Sequence, residues 1–156
     1  MEFSLSNEQE MIIDSVRSFV EQELYPHEEE VEKTNHIDTG LAESIKQKAI
    51  NLGLYATNMP VEYGGGGLDT LTLCLLEKEL GKANFGLQYI VARPSNILMA
   101  CKDEQIDKYL VPTIRGEKVD CLAMTEPNAG SDVRSMKCHA ERDGEYFVIN
   151  GSKHFI

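Results

Sequence analysis

Hydrophobic positions recur at helical spacing from the start of the chain. After Ser6, apolar residues follow one another at three- and four-residue steps along one stripe, at Ile12, Val16, Phe19, Val20 and Leu24. Such a stripe predicts an amphipathic helix. Ser6 and Gln9 have the spacing of a capping box, which places the helix start at Ser6. Pro26 is expected to kink or end the first part of this helix, because proline lacks an N–H donor.

Four further helical segments are predicted before Gly116. They cover residues 39–52, 68–83, 84–100 and 103–114. Segment 68–83 is apolar on most sides and is expected in a core, with Cys74 as a small buried hydrophobe. Segment 84–100 is expected to form two short helices that meet near Arg93 and Pro94. Asp103 is expected to cap the last helix, and Pro112 to bend its final turn.

The hydrophobic period changes after Gly116 to one typical of strands. Residues 119–124, 137–142, 145–149 and 152–156 favour strands, and Asp143-Gly144 and Asn150-Gly151 are hairpin signals. Helices followed by strands predict an α+β fold, with an all-helical bundle over residues 1–116 and an antiparallel sheet over 117–156. The last residues lie within an apolar strand, so we expect the chain to be the front part of a longer protein.

Charge and composition exclude several classes of function. The net charge of −11 argues against binding to nucleic acid or to an anionic membrane, both of which attract clustered Lys and Arg. The four cysteines and four histidines have no metal-ligand or redox spacing, so no metal is expected. No signal peptide and no run of 18 apolar residues is present, and the expected compartment is the reducing cytoplasm. Glycines 64–67 are expected to form a tight connection, because no Gly-Lys-Ser/Thr follows them.

The candidate chemistry lies in the turn-forming residues that follow the predicted strand 119–124. Gly130 and Ser131 leave backbone N–H groups accessible, Thr125 offers a hydroxyl, and Phe155 offers an aromatic wall. These groups suit a planar heterocycle with polar edges. Glu126 and Asp132 are interpreted as structural residues of the loop and not as an acid pair.

Four motifs in this order make the chain resemble the acyl-CoA dehydrogenase family over its whole length. They are residues 60–65 (PVEYGG), 103–110 (DEQIDKYL), 125–132 (TEPNAGSD) and 150–156 (NGSKHFI). The third motif is similar to the family's flavin signature, with Asn128 where glycine is more usual. The resemblance implies a helical N-terminal domain over residues 1–116, the start of a middle β-barrel-like domain over 117–156, and a C-terminal helical domain that is absent here.

The resemblance also implies an activity and its partners. Such enzymes use FAD to remove the α hydrogen of an acyl-CoA thioester as a proton and the β hydrogen as a hydride, in fatty acid metabolism. They pass electrons to an electron-transferring flavoprotein and form homo-oligomers, typically tetramers. Ser131 would meet the cofactor pyrophosphate or the CoA portion of the substrate. The residues expected to bind the cofactor are Leu122, Ala123, Met124, Thr125, Glu126, Pro127, Asn128, Ala129, Gly130, Ser131, Phe155 and Ile156.

No catalytic base is expected within the chain, since the resemblance places it beyond Ile156. We therefore expect these 156 residues alone to be inactive. Alternatives on the same scaffold are an acyl-CoA oxidase, an enoyl-CoA reductase or a flavin monooxygenase. Outside the enzyme class, the chain would be a non-catalytic truncated paralogue or a binding module without flavin. Arg93 is interpreted as a surface or helix-end residue, with contact to a charged acyl group as the alternative.

Overall fold

The computed structural model describes residues 4–91 and 94–156, and the chain forms two compact units. The first unit ends at Val119 and the second is Asp120–Ile156. The described part of the first unit is helical, and the second carries two antiparallel strands. The predicted α+β class is therefore confirmed. Arg93 lies outside the described residues. The two short helical segments predicted on either side of it are present, at Phe85–Ile90 and Asn96–Ala100.

The first helical rod begins as predicted but continues past Pro26. It consists of α1 (Asn7–Phe19), a π-helical turn (Val20–Leu24) and α2 (Tyr25–Thr34). The Ser6 hydroxyl accepts the Gln9 N–H at 3.2 Å, and the Gln9 side chain accepts the Ser6 N–H at 3.1 Å, so the capping box is confirmed. Pro26 falls in the first turn of α2, where a missing N–H costs least. The wider π turn before it lets the rod continue where we predicted a kink or an end.

The same arrangement recurs at Pro112. A π-helical turn (Ile106–Leu110) precedes α6 (Val111–Ile114), which has Pro112 in its first turn. Proline at this position cannot donate to the carbonyl of Lys108, four residues earlier. That carbonyl instead accepts a hydrogen bond from the Lys118 ammonium, at 2.6 Å. The side chain of Lys118 therefore supplies the donor that Pro112 lacks.

Replacing Lys118 with methionine is expected to destabilise the helical unit by about 1 kcal/mol, since it removes one charged hydrogen bond near the surface. Urea unfolding followed by circular dichroism measures this change. Lys102→Met is the control, because the exposed Lys102 side chain makes none of the hydrogen bonds found in the described residues. Equal stability of the two variants would contradict the role given to Lys118.

The remaining helices begin at side-chain caps and pack one face into the core. They are α3 (Thr39–Asn51), α4 (Thr70–Leu80) and α5 (Phe85–Ile90), capped by Asp38, Asp69 and Asn84. A short 3₁₀ segment lies between α3 and α4, at Val61–Tyr63, and another follows α5, at Asn96–Ala100. The main core contains residues from the rod, α3, α4 and α5, among them Val16, Leu24, Ile45, Ala49, Leu76, Leu80 and Leu87.

Three of the finer predictions for the helices were wrong. Helix α4 buries only one face, so Leu71 is 56% exposed and Cys74 is exposed although it was predicted to be buried. Asp103 does not act as a side-chain cap. Its backbone is left-handed, with φ of 49°, and the helical segment starts after it.

The glycine run 64–67 forms a closed connection, which confirms the prediction. The N–H groups of the four glycines all donate to nearby backbone carbonyls: Gly64 to Val61, Gly65 to Pro60, Gly66 to Ala56 and Gly67 to Met59, at 2.9–3.1 Å. A phosphate loop needs such donors directed at its ligand. Because these donors are already used, the run has none to offer a phosphate.

The second unit contains one hairpin, made of β1 (His139–Asp143) and β2 (Tyr146–Asn150). Its register pairs His139 with Asn150 and Asp143 with Tyr146, so the two-residue loop is Gly144-Glu145 and not the predicted Asp143-Gly144. Gly144 has φ of 61°, as the first position of a type II′ turn requires. Residues on both strands are exposed along their full length.

Two predicted strands are absent from the described part of this unit. Residues 119–124 and 152–156 are not in a ladder, and Asn150-Gly151 therefore does not form a second hairpin. Within the described residues, the backbone link between these stretches is the hydrogen bond from His154 N–H to the carbonyl of Thr125, just after residue 124, at 2.8 Å. A strand needs repeated backbone pairing with a neighbour, and this single backbone bond, with one side-chain bond from Lys153 to the Met124 carbonyl, does not make a ladder.

No helix within the described ranges is both long enough and apolar enough to cross a membrane.

Candidate functional site

A tight turn stands at the centre of the second unit. Glu126 and Ala129 exchange both backbone hydrogen bonds, at 3.0 and 3.1 Å, so Pro127 and Asn128 form the two-residue bend between them. Asn128 does not have a positive φ. The turn therefore does not need glycine at this position, and the departure from the more usual sequence leaves the local backbone intact.

The Glu126 carboxylate is buried and accepts three hydrogen bonds. Its Oε2 accepts the backbone N–H of Lys137 at 2.7 Å, and its Oε1 accepts the N–H of Cys138 at 2.9 Å. Oε1 also accepts the Lys153 ammonium at 2.9 Å. These donors stabilise the charged form. The Lys137 amide, the Lys153 ammonium and the Cys138 amide together lower the pKa of Glu126 to about 2.

Lys153 connects three segments through one ammonium group. Besides Glu126, it donates to the backbone carbonyl of Met124 at 3.0 Å and approaches the sulfur of Met136 at 3.6 Å. Its side chain is 24% exposed. Lys153, two positions before Phe155, therefore holds together the segment before the turn, the turn itself and the segment after it.

Glu126 and Asp132 do not form an acid pair, which confirms their interpretation as loop residues. Glu126 is occupied by three donors, and Asp132 accepts the hydroxyl of Ser135 beside the 3₁₀ turn Val133–Ser135. A carboxylate with a pKa of about 2 is a poor proton acceptor near neutral pH. Glu126 therefore holds the loop and has no acid–base role.

The structure places the predicted cofactor residues on an accessible surface around this turn. Leu122 is 66% and Met124 42% exposed, Ala123, Pro127, Asn128, Gly130 and Ser131 are exposed, Thr125 is half-buried, and Glu126 and Ala129 are buried. The N–H groups of Gly130 and Ser131 donate to no protein group among the described residues. They remain available to a ligand with acceptor oxygens.

Phe155 and Ile156 project into solvent near the same segment. They are 86% and 67% exposed, and His154, whose N–H donates to Thr125 O, stacks on the Phe155 ring at 3.9 Å between centroids. Phe155 has a left-handed backbone with φ of 56°, which is uncommon for an aromatic residue. The structure thus brings the predicted 122–125 segment and the predicted aromatic residue to one place.

Lys153 and Gly151 belong to this site and were not identified from the sequence. A Cβ on Gly151 would lie 2.8 Å from both Cα and Cβ of Cys138, so only glycine lets these two segments approach. No local signal marks Lys153, because its partners lie 17 to 29 residues earlier in the chain. The site as a whole offers a backbone edge, an exposed aromatic ring and free amide donors, which suits a flat ligand with polar edges and an anionic part.

Comparisons with known proteins agree along the chain. Residues 6–117 match the family model for the acyl-CoA dehydrogenase N-terminal domain, and residues 121–156 match that for the middle domain. The chain is 36% identical to a 3-(aryl)acrylate reductase of Clostridium sporogenes and 37% identical to the mitochondrial isovaleryl-CoA dehydrogenase of Pongo abelii. These matches cover 97% of this chain in both cases, and 40% and 37% of the relatives.

A solved structure of an acyl-CoA dehydrogenase complexed with FAD, from Bacillus anthracis, superposes with a TM-score of 0.78 at 29% identity. That match covers 96% of this chain and 27% of the other. This chain therefore spans about two fifths of the length of its curated relatives or less. On the two family models, the chain belongs to the acyl-CoA dehydrogenase family.

Proposed function

We propose that this chain supplies part of the FAD site of an acyl-CoA dehydrogenase, which removes hydrogens from the α and β carbons of an acyl-CoA thioester. The observation that carries the proposal is the accessible 122–125 segment, which the His154–Thr125 hydrogen bond joins to the exposed Phe155. FAD, when bound, supplies the acceptor for the substrate hydride. Residues 1–116 are assigned to the N-terminal helical domain and 117–156 to the start of the middle β-domain.

The roles follow from what each group offers. The backbone and hydroxyl of Thr125 bond the polar edge of the flavin, residues 122–124 line its face, and Phe155 packs against the ring with Ile156 beside it. The free N–H groups of Gly130 and Ser131 bind phosphate oxygens of the cofactor or of CoA. Pro127, Asn128 and the buried pair Glu126 and Ala129 shape the turn that presents these donors.

The proton acceptor is assigned to a carboxylate outside this chain. Glu126, the buried acid nearest the proposed flavin edge, is excluded by its three hydrogen bonds and low pKa. The chain's own contribution is to bind and orient, and its apolar walls help to keep water from the reacting carbons. Electron-transferring flavoprotein is the proposed acceptor of electrons, and a homo-tetramer is the proposed assembly.

Binding of FAD tests the proposal directly. The protein expressed from its own gene is expected to purify with bound flavin, visible in its absorption spectrum. Thr125→Val is expected to weaken FAD binding about fivefold, since it removes one hydrogen bond of about 1 kcal/mol. The dissociation constant is measured by fluorescence titration of the apoprotein, with Thr70→Val in the helical unit as the control. A protein that takes up no flavin would refute the proposal.

A second candidate is the reverse reaction, reduction of a carbon–carbon double bond next to a carbonyl. It is favoured by the similarity to a protein named 3-(aryl)acrylate reductase. Activity assays in both directions separate the two, one with acyl-CoA thioesters and an electron-accepting dye, the other with unsaturated acyl substrates and a reduced dye. Turnover only in the second assay would favour the reductase.

A further inference from the structure

The Glu126–Lys153 ion pair lies next to the two groups assigned to the flavin. Glu126 directly follows Thr125 in sequence, and Lys153 precedes Phe155 by two residues. The pair is thus connected through very short lengths of backbone to the polar edge and to the aromatic wall of the proposed site. We call Glu126 and Lys153, with their hydrogen bonds to Met124, Lys137 and Cys138, the clamp.

The clamp satisfies its own charges and leaves no spare polar group for a ligand. The carboxylate has two amide donors and one ammonium, while the ammonium has a carboxylate and a carbonyl acceptor. A largely buried ion pair with complete hydrogen bonding has a defined geometry, because any displacement leaves a charge without its partner. The ion pair therefore fixes the position of the neighbouring backbone.

The backbone next to the clamp is held by two further constraints. Gly151 has φ of 133° and lies against Cys138 with no room for a Cβ. His154 N–H then donates to Thr125 O at 2.8 Å. Between these two points, Lys153 is directed to Met124 and Glu126, so the approach of residues 151–154 to the turn is determined on both sides of the lysine.

These contacts maintain the unusual backbone conformation of Phe155. Its left-handed backbone is unfavourable for an aromatic residue, and such a conformation persists only where the surroundings enforce it. Its side chain is 86% exposed, so packing of the ring does not enforce it. The residues that precede it carry the only restraints in the described part of the chain, namely the Lys153 contacts, the His154 hydrogen bond and the His154 ring.

We propose that Glu126 and Lys153 are positioning residues for the flavin, which set the separation and orientation of Thr125 and Phe155 without touching the cofactor. This inference rests on the FAD function proposed above. It assigns to the ion pair an effect on cofactor affinity and on the flavin environment that a purely stabilising contact would not have.

The test replaces Lys153 and measures the site with and without flavin. In Lys153→Met, the His154 amide hydrogen is expected to exchange at least about tenfold faster than in the wild type, because the residues that carry it are released. FAD binding is expected to weaken by about tenfold or more, with a shifted flavin absorption band and midpoint potential. Lys153→Arg, which keeps the charge and several donors, is expected to recover most of the affinity.

Matched controls distinguish the loss of this ion pair from the general effect of removing one charge. Glu145→Gln changes an exposed carboxylate in the hairpin loop, and Lys78→Met changes an exposed ammonium on α4, so both should leave the exchange rate and the FAD affinity at wild-type values. If Lys153→Met does not fold, Lys153→Gln carries the test, since it keeps one donor, with an expected loss of about threefold or more in FAD affinity.

Each outcome either supports or overturns the positioning role of Glu126 and Lys153. Faster His154 exchange together with weaker binding and a shifted band supports the inference. Unchanged exchange overturns it, and so does faster exchange with unchanged FAD affinity and spectrum, since the pair would then stabilise the loop alone. A wild-type protein that binds no flavin overturns the proposed function itself, and this result is seen before any variant is made.

Discussion

Gly65→Ala is expected to destabilise the helical unit by about 3 kcal/mol or more. An added Cβ would lie 2.2 Å from the carbonyl oxygen of Met59 and 2.5 Å from its Cβ, far inside van der Waals contact. Met59 is fully buried, and backbone atoms cannot rotate away as the end of a flexible side chain can. The Gly65 N–H also donates to the Pro60 carbonyl, so relief of the clash would break the closed connection before α4.

Chemical denaturation followed by far-ultraviolet circular dichroism measures the loss. Gly53→Ala is the matched control, because Gly53 has φ of 71° but a Cβ there would meet nothing within 4 Å. That substitution is expected to cost about 1–2 kcal/mol, from backbone conformation alone. An effect of Gly65→Ala no larger than that of the control would show that the connection yields easily, contrary to the packing described.

Glu126→Gln is expected to destabilise the second unit near neutral pH, by an amount that becomes smaller in acid. The folded pKa of Glu126 is about 2, below its usual value of 4.5. Because the folded state favours the charged form, the stabilisation is complete above about pH 4.5 and is lost as the pH falls through 2. In the glutamine variant, an NH₂ group replaces one acceptor and faces donors of the chain at every pH.

Comparing the wild type with Glu126→Gln across pH isolates the contribution of the Glu126 carboxylate. Asp69 and Glu79 also have lowered pKa values, Asp69 through its hydrogen bonds with Thr72 and Glu79 mainly through Lys82, but both are present in wild type and variant. Nuclear magnetic resonance of the Lys137 and Cys138 amides reports the titration, and denaturation followed at the same resonances reports stability. Glu145→Gln should follow the wild-type curve. A stability difference that stays constant between pH 5 and pH 2 would contradict the assignment.

Local signals accounted for most of the helical unit. The capping box at Ser6 and the helix end at Gly53 follow from side chains and backbone freedom within a few residues, and the structure has both. The two π turns were not predicted. Proline inside a helical pattern indicates a break. The helix continues here because a wider turn precedes each proline and, at Pro112, because a lysine six residues later supplies a donor.

The second unit was less predictable, because its structure depends on pairing between segments distant in sequence. Residues 119–124 have the apolar composition of a strand but no ladder partner among the described residues. The hairpin was expected one residue too early, since the cross-strand register, and not the Asp-Gly signal, determines which residues form the loop.

For the candidate site, the sequence indicated the loop and its aromatic neighbour but not what joins them. Thr125, Ser131 and Phe155 are recognisable by residue type and motif, and their roles toward FAD stay predictions. Lys153 was unrecognised because an exposed lysine is the ordinary interpretation of such a residue. Its partner Glu126 lies 27 positions away, and only the folded chain brings the two together.

The π turn in the first rod has a consequence for any variant that changes its length. Each residue of an α-helix advances the side chains by about 100° around the axis. Because the wide turn at Val20–Leu24 accommodates an extra residue, it preserves the rotational phase of α2 relative to α1, and with it the inward direction of Val31. Deleting one residue there would restore regular α-helical winding and leave Val31 facing the core, because the wide turn absorbs one extra residue without rotating the helix that follows. An inserted residue, with no second wide turn to absorb it, would rotate Val31 by about 100° toward solvent.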